Sequence, residues 1–141
     1  RNFFSYRGAT VFKPNRRELE AALGAAVDLD HPAALPATLE RLDVEHLLLT
    51  LGERGMVLAS RDGSVHRAST TAREVSDVVG AGDTVTAYLA AMLAAGASAR
   101  EAADVSNFAA GVEVGKLGAA TVSGEEVLDA YDRYVRGDEG Q

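Results

Sequence analysis

The stretch Ser76-Asp77-Val78-Val79-Gly80-Ala81-Gly82-Asp83-Thr84 holds the residues best suited to chemistry: a glycine-bearing loop that feeds directly into a helix. Small residues let a backbone come close to a ligand. The unused N–H groups at a helix N-terminus, with the positive end of its dipole, suit a phosphate. Asp83, in the first turn, has two readings. It complements the helix dipole, or it is a general base beside an anion hole, which is what phosphoryl transfer to a hydroxyl requires.

Two other stretches pair polar residues with loop chemistry. Lys13-Pro14-Asn15-Arg16-Arg17-Glu18 sets Asn15 and Glu18 three residues apart at the start of a helix, the spacing of a capping box as well as of a pair of polar ligands. Thr50, Gly52 and Gly55 lie in a loop after an apolar run, where glycine allows close backbone approach; by itself this is a tight turn between strands. Other chemistries are excluded. The chain has no cysteine, so thiol nucleophiles, disulfides and Cys-based zinc sites are ruled out. His31, His46 and His66 fall at no metal-ligand spacing and read as surface or strand-edge residues, and no Gly-x-Ser-x-Gly elbow is present. Lys116 follows Gly115, but the earlier glycine and the hydroxyl of a P-loop are out of register.

The elements that must position these residues alternate between strand and helix. Ala9 to Phe12 reads as a short strand ended by Pro14, and Arg16 to Leu23 as a helix stopped by Gly24. His31 to Leu42 reads as a second helix with Pro32 and Pro36 near its start. His46 to Leu51 is a continuous apolar run, typical of a strand buried on both faces. That alternation predicts a parallel sheet flanked by helices. Asp62-Gly63, between Met56–Ser60 and Ser64–Ala68, predicts a hairpin. Thr84 to Ala95 reads as a helix ended by Gly96. Capping boxes at Ser98/Glu101 and Ser123/Glu126 open two more.

The 141 residues allow one domain or part of one. With 14 Lys+Arg against 21 Asp+Glu the net charge is −7, spread along the chain, which argues against binding nucleic acid or an anionic membrane by bulk electrostatics. The longest apolar stretch, Val85 to Ala97, is shorter than the roughly 20 residues of a spanning helix. The expectation is a soluble protein, for which the lack of cysteine permits the reducing cytoplasm.

Asp77-Val78-Val79-Gly80-Ala81-Gly82-Asp83-Thr84 resembles the Asp-Thr-Thr-Gly-Ala-Gly-Asp-Thr signature of the ribokinase (PfkB) family of sugar kinases. Pro14-Asn15-Arg16-Arg17-Glu18 is similar to its Pro-Asn-x-x-Glu, and Thr50-Leu51-Gly52-Glu53-Arg54-Gly55 to its Thr-x-Gly-x-x-Gly nucleotide loop, in the same order. Tyr6 to Thr10 and Ala109 to Gly118, with Thr121-Val122-Ser123 following, resemble the heptose 7-phosphate kinase branch found in bifunctional ADP-heptose synthases. The resemblance implies a three-layer α/β/α ribokinase-like fold, of which this chain is the C-terminal, nucleotide-binding half. The sugar pocket and β lid would lie upstream, leaving an exposed sheet edge and a tendency to self-associate, for instance as a homodimer.

The implied activity is ATP-dependent phosphorylation of a sugar hydroxyl, with heptose 7-phosphate giving heptose 1,7-bisphosphate for ADP-heptose supply in the cytoplasm. The alternatives are another PfkB sugar or nucleoside kinase, or a nucleotide-binding fragment without turnover. The resemblance assigns Asp83 as the base and Gly80, Ala81 and Gly82 as N–H donors to the developing charge. Asn15 and Glu18 would face the nucleotide phosphates and Mg²⁺, partly through water. Thr50, Gly52 and Gly55 would line the phosphate and ribose side, and Asn107 would sit near adenine or ribose. As a plain mid-helix residue, Asn107 is instead solvated or paired with a backbone carbonyl. Asp77 and carbonyls near Val79 and Gly118 would hold K⁺ or Na⁺. Val78-Val79 replaces the family's threonines, which removes hydroxyls from that cation's surroundings.

Overall fold

The computed structural model describes residues 7–29, 31, 34–70, 80–115 and 121–136. The chain divides into two compact units, Arg1–Ser69 and Thr70–Gln141.

In the first unit, β1 (Val11–Phe12) leads through Pro14 into α1 (Arg16–Leu23). Asn15 caps that helix, and Gly24 ends it in the left-handed conformation expected of a glycine stop. α2 (Leu35–Leu42) starts later than the sequence suggests, with Pro36 in its first turn, where a missing N–H costs nothing. Leu35, Leu39 and Leu42 recur at helical spacing and all three are buried. β2 (His46–Thr50), β3 (Met56–Ser60) and β4 (Val65–Ala68) complete a sheet in the order β1-β2-β3-β4.

The sheet corrects one expectation. β1 and β2 are parallel, pairing Val11 with His46, but β2–β3 is antiparallel, with Leu48 opposite Leu58; β3–β4, with Leu58 opposite His66, has the antiparallel direction that a hairpin requires. The sheet is mixed because the three residues Gly52–Arg54 make a tight 3₁₀ turn between β2 and β3. No crossover helix is present there to return the chain in the same direction. The hairpin at Asp62-Gly63 forms as predicted, with the Asp62 carboxylate accepting from the Ser64 N–H at 2.8 Å. The side-chain alternation of β2 follows the expected burial. Leu47 and Leu49 join Val57, Ala59, Leu19, Leu39 and Leu42 in the core, and Leu48 on the opposite face is also fully buried.

The second unit is helical among its described residues: α3 (Ala81–Ala94), α4 (Ala99–Val114) and α5 (Gly124–Arg136). α3 begins three residues before the predicted start. Two glycines flanking an alanine read as loop because glycine has low helix propensity, yet a first turn tolerates them. α3 packs along α4, whose Ala102, Ala103, Ser106 and Ala109 are all fully buried and small enough for close approach. The Tyr88 hydroxyl donates to the Val122 carbonyl at 3.0 Å, tying α3 to the segment before α5. Phe108 of α4 meets Tyr131 and Tyr134 of α5 edge-on, each at 5.9 Å between ring centroids. Ser98/Glu101 and Ser123/Glu126 form the expected capping boxes. Among the described residues no helix is long and apolar enough to cross a membrane.

Candidate active site

The first unit brings two of the sequence motifs together. Beyond β1 the chain keeps a parallel bridge to β2, placing Asn15 beside Thr50. The Pro14 carbonyl accepts from the Thr50 N–H at 3.1 Å and from its hydroxyl at 3.5 Å. After Thr50 the 3₁₀ turn Gly52–Arg54 folds the loop back, closed by bonds from the Gly55 N–H to the Gly52 carbonyl and from the Leu51 N–H to the Gly55 carbonyl. Gly52 and Gly55 have φ of 61° and 77°, a conformation that explains glycine at both.

An open cleft of about 300 Å³ lies between these motifs, lined by Asn15, Arg16, Arg17, Leu29, Thr50, Leu51, Gly52 and Arg54. Asn15, Thr50 and Gly52 lie together along this cleft, whereas Gly55 is buried in the turn beneath and shapes the loop. Asn15 and Glu18 also form the capping box that competes with their ligand reading. Asn15 Oδ1 accepts from the Glu18 N–H at 2.9 Å, and Glu18 Oε2 accepts from the Asn15 N–H at 2.8 Å. Capping uses one oxygen of Glu18 and leaves the other.

The second unit carries the glycine-bearing loop. Gly80 is the N-cap of α3, at φ 108°, and has no side chain with which to cap. The Asp83 and Thr84 N–H groups both donate to the Gly80 carbonyl, at 2.8 and 3.0 Å. The Ala81 and Gly82 N–H groups stand outside the helical ladder, as first-turn donors do. Asp83 is exposed in that first turn, where it satisfies the dipole reading and is open to a ligand at once. Side chains close the N-termini of α1, α4 and α5, whereas α2 and α3 have no side-chain cap. Asn107 is buried on α4, 8% exposed, so it is not a solvated surface residue. Asp77, Val79 and Gly118, the expected cation ligands, lie outside the described residues.

Sequence reasoning missed Glu113. It is 6% exposed near the end of α4, and its Oε2 has no hydrogen-bond partner among the described residues. Its other oxygen lies so near Gly80 that a Cβ there would sit 2.6 Å away. The only sequence signal was a charge inside the apolar run Ala109 to Val114. The three cleft arginines were equally silent, since they occupy variable positions of their motifs.

Comparison with known proteins decides the family. The model of the pfkB family carbohydrate kinases matches residues 5–126. This chain belongs to the pfkB family. Within it, the chain is 49% identical over 131 residues to the bifunctional protein HldE of Pelobacter propionicus, covering 92% of this chain and 27% of that protein. To HldE of Halorhodospira halophila it is 50% identical over 123 residues, covering 86% of this chain and 26% of the relative. The chain thus spans about a quarter of the length of these pfkB relatives.

Among solved structures, the Arabidopsis thaliana ribokinase complexed with ribose and ATP superposes with a TM-score of 0.76 at 28% identity, over 85% of this chain and 40% of that one. Phosphofructokinase-2 of Escherichia coli superposes with a TM-score of 0.81 over 95% of this chain and 44% of its own; at 19% identity it shows the fold alone. The fold is ribokinase-like α/β, as the motifs implied.

Proposed function

We propose that this chain is the nucleotide-handling part of an ATP-dependent sugar kinase whose acceptor is heptose 7-phosphate, phosphorylated at its anomeric hydroxyl. The observation that carries the reading is the bridge between Asn15 and Thr50, which joins two distant motifs in one polar cleft. The similarity to bifunctional HldE proteins supports the heptose acceptor, and the ribokinase solved with ATP supports the nucleotide.

The residues present fit Mg²⁺ delivered on the nucleotide. Such an ion is held by substrate phosphates, waters and one or two carboxylates, so it needs no cluster of three metal-ligating side chains, and none exists among the described residues. The Glu18 oxygen not used in capping would take a water of that ion, which when bound neutralises phosphate charge. Asn15, Thr50 and Gly52 would hold the phosphates, and Asn107 would serve the nucleoside side.

Asp83 would accept the proton of the sugar hydroxyl as its oxygen bonds to the γ-phosphorus. The bond between that phosphorus and the β-γ bridging oxygen breaks, and ADP leaves with the electron pair. The Gly80, Ala81 and Gly82 N–H groups would meet the charge that develops. Asp77, with nearby carbonyls, would hold a monovalent cation.

Calorimetric titration of Mg·ATP into the chain, beside Asn15→Ala and Gly82→Val, tests the nucleotide part. Saturable binding weakened by both changes is expected; equal binding by all three overturns the site. Phosphoryl transfer to heptose 7-phosphate, ribose and fructose 6-phosphate, measured on a fusion of this chain to the preceding segment of an HldE relative, tests the acceptor. A preference for either other sugar moves the chain to another pfkB activity.

A further inference from the structure

We infer that the cleft of the first unit is a cationic clamp for a linear polyphosphate, with Arg17 and Arg54 as its charge-bearing ligands. Three arginines line the cleft, and among the described residues no carboxylate lines it. Glu20 engages Arg16, its Oε1 accepting from Nε at 2.9 Å while also accepting from the Val27 N–H at 3.1 Å. The Glu18 carboxylate is tied to the Asn15 N–H, and Glu53, although next to Arg54, does not line the cleft. Among the described residues neither Arg17 nor Arg54 has an ion pair or a side-chain hydrogen bond. Two guanidinium groups without a charged partner among the described residues thus meet one cleft in a chain whose net charge is −7.

Their placement runs against local preference. Arg16 and Arg17 occupy the first turn of α1, where the helix dipole favours acidic residues and disfavours cations. Arg54 arrives from a different element, the 3₁₀ turn, held in place by the positive-φ glycines on either side. A local rule broken at a cleft, with no compensating contact among the described residues, marks a ligand site more than a stability device. Guanidinium forks match phosphate oxygens in shape and charge. A volume of about 300 Å³ is at the small end of ligand sites and suits a chain of phosphates better than a whole nucleotide.

The choice of a triphosphate as occupant rests on the nucleotide reading of this cleft, but the clamp can fail separately. The test is calorimetric titration of sodium tripolyphosphate, ATP and adenosine into the 141-residue chain without Mg²⁺, at low and raised salt. Arg17→Gln and Arg54→Gln are compared with Arg100→Gln, which removes the same charge from an exposed position on α4. Tripolyphosphate and ATP are expected to compete, with adenosine far weaker. Each cleft variant should weaken both by about tenfold and flatten the salt dependence, while Arg100→Gln binds as the parent does. Melting curves should show all three variants folded, because each position is exposed. ATP binding that Arg17→Gln and Arg54→Gln leave at the Arg100→Gln level overturns the clamp and leaves the nucleotide reading standing. Tripolyphosphate binding that needs both arginines but does not compete with ATP supports the clamp and overturns the nucleotide reading. No binding of either anion by the parent chain overturns both.

Discussion

Substituting Gly80 by alanine perturbs the start of α3 in two separable ways. The backbone there has φ 108°, where an L side chain is strained by about 1–3 kcal/mol. The new Cβ would also lie 2.6 Å from a Glu113 carboxylate oxygen, on a side chain only 6% exposed and so poorly able to swing aside. Overpacking of that kind costs roughly another 1–3 kcal/mol. The expected loss is therefore about 2–6 kcal/mol, a fall in melting temperature on the order of 10 °C for a chain of this size.

Gly82→Ala is the internal control. A Cβ at that position would meet no atom within 4 Å and its φ is not positive, so alanine should be neutral or stabilise by up to about 1 kcal/mol. Glu113→Ala combined with Gly80→Ala removes the collision and leaves the backbone strain. A double-mutant cycle followed by urea unfolding should therefore show a favourable coupling of about 1–3 kcal/mol. A Gly80→Ala variant as stable as Gly82→Ala, or a cycle with no coupling, would refute the steric account of this glycine.

Replacing Asp83 by asparagine keeps the shape of the first turn and removes the proton acceptor. Where phosphoryl transfer is measured on the fusion to the preceding segment of an HldE relative, the rate should fall by about 10²–10⁴-fold with ATP affinity little changed; a fall of less than threefold would return Asp83 to a dipole-complementing role. Glu101 is held below the usual glutamate range by accepting from the Ser98 N–H first and the Ser98 hydroxyl second. A depressed carboxylate stabilises the fold above its unfolded pKa, and that stabilisation is lost as pH falls through the folded value. The α4 cap should accordingly hold at neutral pH and open in acid, which NMR titration of the Glu101 carboxyl reads directly; a midpoint at or above the ordinary value contradicts it. Leu128, Tyr131, Tyr134 and Val135 are each more than half exposed along α5, and the two-residue β1 is at the sheet edge among the described residues. Sedimentation at rising concentration should reveal self-association, and a monomer throughout would count against it.

Much of this protein was decided by short-range signals. The caps at Asn15, Ser98 and Ser123, the stop at Gly24, the Asp62-Gly63 hairpin and the buried run of β2 each depend on residues within a turn or two of one another. For that reason they were legible in the linear chain. The three motifs were legible too, because their residue types and order are themselves the pattern.

Tertiary structure alone decided the rest, because strand direction and packing depend on partners far away in sequence. The antiparallel return of β3 followed from a 3₁₀ turn that leaves no room for a crossover, a choice that an apolar run cannot announce. The cleft exists because Thr50 pairs across 36 residues to the Pro14 carbonyl, which sets Arg17 and Arg54 around one space. The reason for glycine at position 80 is likewise long-range: besides its backbone angle, it is a carboxylate 33 positions onward, carried there by the packing of α4 on α3.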